Sequence, residues 1–183
     1  MSAATTTGPR AAQGAARTTA PLTGPPGVPF GRLLGVELRK QIGTAELWLP
    51  GVTAVIVRGD EVLLVKRSDN GEWAPVSGIV DPGEEPGVAA RREALEETGV
   101  TITVDRLAWI RSGERVTYDN GDRAVYLDHT FACSWVSGEP YVADDESTDV
   151  RWFRRDDLPP IRPLFVERIA VACSGETHTR FRA

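Results

Sequence analysis

Gly78-Ile-Val-Asp-Pro-Gly-Glu84-Glu-Pro-Gly-Val-Ala-Ala-Arg-Arg92-Glu93-Ala-Leu-Glu96-Glu97-Thr-Gly99-Val100 is the most informative stretch of this 183-residue chain. Its first part, within the turn-rich run Ser77 to Pro86, is built of glycine, proline and acidic residues and predicts a loop. From about Gly87 to Thr98 the composition shifts to Ala, Leu, Arg and Glu, which predicts a helix. Gly99 is placed to end that helix as a left-handed cap, and Val100 to Val104 resumes extended structure. Glu93, Glu96 and Glu97 stand at i, i+3 and i+4 and therefore share one helix face. Three carboxylates this close repel one another unless a cation joins them. Val88 and Leu95 are expected to point the opposite way and anchor the helix on a sheet. The bend of the preceding loop lets backbone oxygens reach the same place. On spacing alone, a solvated acidic face is the commoner meaning of clustered helical glutamates.

Working outward, the flanks supply strands. Val52 to Val57 is β-branched and apolar, as in a buried strand. Gly59-Asp60 is a turn signal, and Glu61 to Lys66 reads as the returning arm of a hairpin. Trp73 to Val76 is a short strand. Beyond the helix, Ala108 to Arg111 and Arg115 to Tyr118 read as strand pieces, and Asn120-Gly121 as a turn. Ala124 to Val136 alternates, with Val125, Leu127, His129, Phe131, Cys133 and Trp135 on one face of a long strand. Val150 to Arg154 is a last short strand. Pro163 to Cys173 reads as a helix with Phe165, Ile169 and Cys173 at four-residue spacing. Strands interleaved with two helices predict an α/β fold, a mixed sheet covered on both faces.

The segment from Gly78 to Val100 resembles the Nudix hydrolase box: G, five residues, E, seven residues, R-E, an apolar residue, any residue, E-E, any residue, G, apolar. Gly78, Glu84, Arg92, Glu93, Glu96, Glu97, Gly99 and Val100 meet every fixed position, with Ala94 at the first apolar one. A full-length match in a strand–loop–helix context is what a motif needs for confirmation. The layout resembles the family from about Leu49 to Cys173, which implies a Nudix-type α/β/α sandwich with a mixed β-sheet. By the same resemblance Glu93, Glu96 and Glu97 are metal ligands, joined by the Gly78 carbonyl. Arg92 orients the neighbouring glutamates, and Glu84 steadies the loop–helix junction. A further acid is expected from a loop near the end of the sheet. Glu146 in Ala143-Asp-Asp-Glu-Ser is the best placed, with Asp144 and Asp145 as rivals and a plain exposed acidic loop as the alternative. One local departure is Val76-Ser77-Gly78, where many family members have Pro-Gly-Gly.

The implied activity is metal-dependent cleavage of a nucleoside diphosphate linked to another moiety, with Mg²⁺ or Mn²⁺ as cofactor. Glu146 or one of the helix glutamates, Glu93 or Glu96, is the candidate base. The proline that marks some ADP-ribose members is replaced by Val116. Tyr118 occupies the position of a tyrosine found in some dinucleoside polyphosphate members, though it reads equally well as a hairpin end. Arg67 and Arg111 are candidate phosphate contacts. Trp73, Trp109, Tyr118, Tyr126 and Trp135 are candidates to stack on a base, with core packing as the default for each. A non-catalytic nucleotide or nucleotide-sugar sensor is the competing class, against which the intact glutamate set speaks. A diphosphate isomerase would need a placed cysteine, and Cys133 has no supporting motif. The resemblance also allows a homodimer, with no direct signal in the sequence.

Composition narrows the alternatives. There are 26 acidic and 21 basic residues, a net charge of −5. A chain so charged has no electrostatic reason to coat nucleic acid. No apolar run approaches a membrane span. Cys133 and Cys173 cannot make a disulfide framework, and with only His129 and His178 a zinc site is not expected. A reduced, cytoplasmic protein is the expectation. The chain divides into a disordered tail over 1–29, an extension over 30–48 packing on the domain, the domain itself over 49–175 and a C-terminal tail over 176–183.

Overall fold

A computed structural model describes residues 38–118 and 120–182. The expected tail 1–29 and the first part of the extension, 30–37, lie outside the described residues. The described elements run β1 (Leu47–Arg58), β2 (Glu61–Arg67), β3 (Trp73–Ala74), β4 (Val76–Ile79), α1 (Pro86–Thr98), β5 (Thr101–Ser112), β6 (Val116–Thr117), β7 (Arg123–Ser137), β8 (Ser147–Arg154) and α2 (Pro163–Ala172). All eight strands join one mixed sheet whose spine is β3-β2-β1-β7-β5, with β4 on β1, β6 on β7 and β8 on β2.

The β1–β2 hairpin forms as the sequence predicts, with Arg58 opposite Glu61 and Gly59 at φ +62°. β1 and β7 run parallel from Leu47–Ala124 to Val57–Ser134. The other ladders are antiparallel. Both faces of the central strands are buried. Val52, Ala54, Ile56, Phe131 and Cys133 pack towards α1, and Val55, Val62 and Leu64 pack with Ile169 and Ala172 of α2. That is why β1 reads as a continuous apolar run rather than an alternation. Each fully buried Ile or Leu here, such as Ile56, Leu63 and Leu64, contributes roughly 1.5–3 kcal/mol.

The anchoring face of α1 differs from expectation. Val88 and Leu95 are 42% and 55% exposed, while Ala89, Ala90 and Ala94 are fully buried. The small methyl groups let the helix settle close to the sheet, where larger side chains would hold it away. The same rotation carries Glu97 into the buried stripe, since Ala90, Ala94 and Glu97 follow at i, i+4 and i+7. The three glutamates therefore grade from the sheet side to solvent rather than sharing an exposed face.

The terminal segments are tied to the sheet. Residues 38–42 form a helical turn. Arg39 donates from Nη2 to the Arg123 carbonyl at 2.8 Å and pairs with Asp122. Residues 176–182, read from sequence as a tail, return along β5. The Arg180 amide donates to Ala108 O at 2.8 Å, and the Ile110 amide donates to Arg180 O at 3.0 Å. β5 would otherwise offer a free edge, so a short flanking segment is the physical solution. No described helix is long and apolar enough to cross a membrane.

Candidate active site

Pro86 opens α1 at a position where its missing N–H costs nothing, and Gly99 closes it at φ +70° with its amide on Leu95 O. Between these ends Glu93 reaches β4. A Cβ placed on Gly78 would lie 2.0 Å from Glu93 Cδ, so the carboxyl rests directly on the glycine. This close approach explains why a glycine stands here. Gly78→Ala is expected to push the Glu93 carboxyl aside while leaving the backbone in place. Catalytic turnover should fall by about 10²-fold, the scale of an ångström-sized misplacement. Thermal unfolding should move by only a degree or two. Wild-type turnover in this variant would refute the contact's importance.

Arg92 organises the loop and the helix. It holds Glu84 with two parallel bonds, Nε to Oε1 at 2.9 Å and Nη2 to Oε2 at 2.8 Å. Nη1 donates to Glu93 Oε1 at 2.7 Å and Glu96 Oε2 at 3.0 Å, and Nη2 also reaches Ile79 O at 3.1 Å. Glu84 in turn accepts the Asp81 amide. Burial alone would raise the Glu84 pKa, but the Arg92 and Asp81 hydrogen bonds and the Arg92 charge hold it below the usual value. Glu84 and Arg92 thus tie the loop to two of the helix glutamates.

The other glutamates carry electrostatic strain. Burial pushes Glu93 up to about 7 against the pull of Arg92, and the charges of Glu96 and Glu146 add to the rise. Glu97 is 4% exposed. Burial, then the charges of Glu93, Asp144 and Glu146, push its pKa well up, and a backbone hydrogen bond from Ser77 opposes them only in part. Its Oε1 is buried without a hydrogen-bond partner. An unpaired buried carboxylate oxygen costs free energy unless something cationic completes it.

Around these groups lies an open cleft of about 440 Å³, within the range of small-molecule sites. It is lined by Gly78, Arg92 and Glu93 and by Arg67, Ser68, Asp69, Asp145 and Glu146, with Ser68 bonded to the Asp145 and Glu146 carbonyls. Of the acidic loop residues, Asp145 and Glu146 line the cleft. Asp144 Oδ1 instead accepts the Glu146 amide at 3.0 Å. Arg67 is held by Asp69 through bonds of 2.9 and 2.7 Å. Tyr118 is not among the lining residues. Its hydroxyl meets that of Tyr126 at 2.7 Å. Arg111 lies against the Trp109 ring, and Trp73 packs edge-on to Phe153. Ser68, Asp69 and Asp81 also line the cleft and are not among the residues the sequence points to. Only Asp81, inside the loop between Gly78 and Glu84, carried a local signal.

The donor set suits a hard divalent cation. Carboxylates and a backbone carbonyl are its preferred ligands. The orphaned Glu97 Oε1 and the carboxyl seated on Gly78 are the structural marks of such a site. Among the described residues no three acidic or imidazole side chains already converge as a cage. Arg92 Nη1 bridges Glu93 and Glu96 and partly neutralises them.

A mixed sheet between two helices, with a loop–helix unit that sets glutamates against a strand glycine, is the Nudix type of α/β/α sandwich. Over residues 48–170 the chain matches the NUDIX domain model, and it belongs to that family. It is 31% identical over 118 residues to the NAD-capped RNA hydrolase NudC of Pseudomonas syringae pv. syringae, covering 61% of this chain and 38% of that one. It is 33% identical over 108 residues to a MutT-like protein of Streptomyces ambofaciens, covering 58% and 64%. The chain thus spans 38% of the length of the NudC relative. Among solved structures, a NUDIX hydrolase from Nitrosomonas europaea superposes with a TM-score of 0.56 at 31% identity, over 69% of this chain and 89% of that one. A UDP-X diphosphatase gives a TM-score of 0.56 at 25% identity, over 76% and 68%.

Proposed function

We propose that the protein is a divalent-cation-dependent pyrophosphohydrolase that cleaves a nucleoside diphosphate linked to another moiety. The products would be a nucleoside monophosphate and a second phosphorylated fragment. The observation that carries this reading is the pairing of Glu93, seated on Gly78, with Glu97, buried beside it with one oxygen unpartnered. Both arrangements would suit a cation held between the helix and β4.

Glu93, Glu96, Glu97 and the Gly78 carbonyl would hold Mg²⁺ or Mn²⁺. A bound ion of this kind supplies charge neutralisation to a diphosphate and acidifies a water at neutral pH. Arg92 and Glu84 keep the glutamates oriented. Arg67, which lines the cleft, offers a positive group for a phosphate oxygen, and Tyr118, paired with Tyr126 outside the lining, is a weaker candidate contact. A carboxylate that the cation leaves free is suited to accept the proton of an attacking water. Glu146, in the acidic loop that lines the cleft, is one candidate for that role, and a glutamate of the helix, Glu93 or Glu96, is the other.

The names of the relatives order the substrates to test. NudC is called an NAD-capped RNA hydrolase and the structural relative a UDP-X diphosphatase, so NAD, 5′-NAD-capped RNA and UDP-linked sugars lead. The net charge of −5 speaks against general nucleic-acid binding, not against a capped 5′ end as substrate. Next come (d)NTPs, 8-oxo-dGTP, ADP-ribose and dinucleoside polyphosphates. Phosphorylated products would be quantified with Mg²⁺, with Mn²⁺ and with EDTA, beside Glu97→Gln. Metal-dependent turnover of one class, lost in the variant, is expected. No turnover above the variant on any compound, with tight nucleotide binding in the same samples, would instead mark a sensor module.

A further inference from the structure

The loop after β7 is fastened to the end of α1 in a way that no packing requirement explains. Gly138, at φ +93°, lies so close to the helix end that a Cβ on it would stand 2.8 Å from Gly99 O. Trp135 Nε1 donates to Gly138 O at 2.9 Å and fixes this bend. The Tyr141 amide then donates to Thr98 O at 3.1 Å, and the Ala143 amide to Glu97 O at 3.2 Å. These are carbonyls of the last turn, which a helix leaves without internal partners. The loop therefore caps α1 from outside. The Tyr141 ring lies flush on Gly99, where a Cβ would stand 2.1 Å from its Cε1. Tyr141 is 61% exposed, so its ring is not held there by core burial.

The acidic segment comes shortly after Tyr141 in the chain. Ser68 holds its far end, the amide donating to Glu146 O at 2.9 Å and the hydroxyl to Asp145 O at 3.0 Å. Asp145 and Glu146 are thus suspended between the helix end and the β2–β3 loop, and they line the same cleft as Glu93. Glu97 joins the two systems, its carbonyl bound by the loop and its carboxyl in the site. We infer that Tyr141 is a positioning residue. Its ring on Gly99 straps the loop to α1 and so sets the distance between the acidic segment and the helix glutamates. The consequence for function rests on the proposed binding of a cation by those glutamates. The strap itself does not.

The test compares wild type, Tyr141→Ala and Tyr141→Phe in the full chain. Amide hydrogen exchange is followed across residues 139–146, and Mn²⁺ binding by electron paramagnetic resonance titration. Tyr141→Ala should accelerate exchange at Ala143 to Glu146 by at least tenfold. Its Mn²⁺ dissociation constant should rise about tenfold, with the thermal midpoint nearly unchanged. Tyr141→Phe, which keeps the ring, should match wild type in both. Unchanged exchange in Tyr141→Ala overturns the strap whatever the metal does. Faster exchange with unchanged Mn²⁺ affinity overturns its link to the site. Wild type that binds no Mn²⁺ defeats the cation reading, and the exchange arm still decides the strap.

Discussion

Glu97→Gln will lower metal-dependent turnover by about 10³-fold and will raise the thermal stability of the metal-free protein. The two effects share one cause. Glu97 is 4% exposed, and its Oε1 has no hydrogen-bond partner. As a carboxylate it is costly to the metal-free fold and, on the proposed reading, would be a ligand of the cation. The amide keeps the shape and the Ser77 hydrogen bond but removes the charge. The amide nitrogen inherits the unpartnered position, so the gain comes from removing the buried charge alone, roughly 1–3 kcal/mol and a rise of several degrees for a domain of this size. The sign with pH comes from the upward shift of Glu97. A group whose pKa rises on folding stabilises the fold below its ordinary value, and that contribution is lost as pH climbs through the raised one. Glu93 behaves alike, with a window from 4.5 to about 7. Metal-free wild type should therefore lose stability as pH rises above about 4.5, and the variant should lose less. Thermal melts in EDTA from pH 5 to 8, beside product assays, check both halves. A variant less stable than wild type at pH 8 would contradict the assignment of Glu97 as a strained ligand.

Asp128→Ala is expected to cost about 3–5 kcal/mol of folding stability, the scale for leaving one half of a buried pair uncompensated. Asp128 lies mid-strand in β7 and is 6% exposed. Its Oδ2 accepts Thr53 Oγ1 at 2.8 Å and pairs with Arg168 Nη2 at 3.1 Å, and its Oδ1 accepts Thr130 Oγ1 at 2.8 Å. Arg168 Nη1 closes the circuit on Thr53 at 2.7 Å. Burial lowers the Arg168 pKa, and the Arg111 charge adds to that, so removing the opposing charge of Asp128 leaves a cation poorly housed. The network joins α2 to β1 and β7 behind the strand that pairs with β4, where Thr53 stands opposite Ser77. Asp128→Leu with Arg168→Met should recover more than half of the loss, because both desolvation costs disappear together. Urea unfolding of Asp128→Ala, of Asp128→Leu and Arg168→Met singly, and of the Leu–Met double variant gives the values that check this. A single-variant loss below about 1 kcal/mol would show instead a solvent-compensated surface pair.

The chain from Gly78 to Val100 specifies its own loop, helix and cap by itself. A left-handed glycine, a proline at the first helical position and the i, i+3, i+4 spacing of glutamates act within a few residues of one another. The Gly59-Asp60 turn and the strand cores at 52–57, 61–66 and 124–136 are local in the same sense, whereas Ser77 to Ile79, read from sequence as loop, pair with β1 as part of β4, and the pieces at 100–104 and 108–111 merge in β5. What the helix turns towards the sheet is not local. Val88 and Leu95 are the more hydrophobic side chains, yet the alanine stripe is buried, because the depth of approach is set by the sheet it lands on. That choice buried Glu97 and created its unpartnered oxygen. Asp128 and Arg168 stand 40 residues apart, and nothing near either announces the other. The acidic loop carries no periodic signal, and it is held by backbone bonds to Glu97, Thr98 and Ser68 together with the Tyr141 ring on Gly99. Short-range rules write the cast of residues and the turns that present them. The faces they show, and the partners that raise or lower their charges, arise only when distant segments pack.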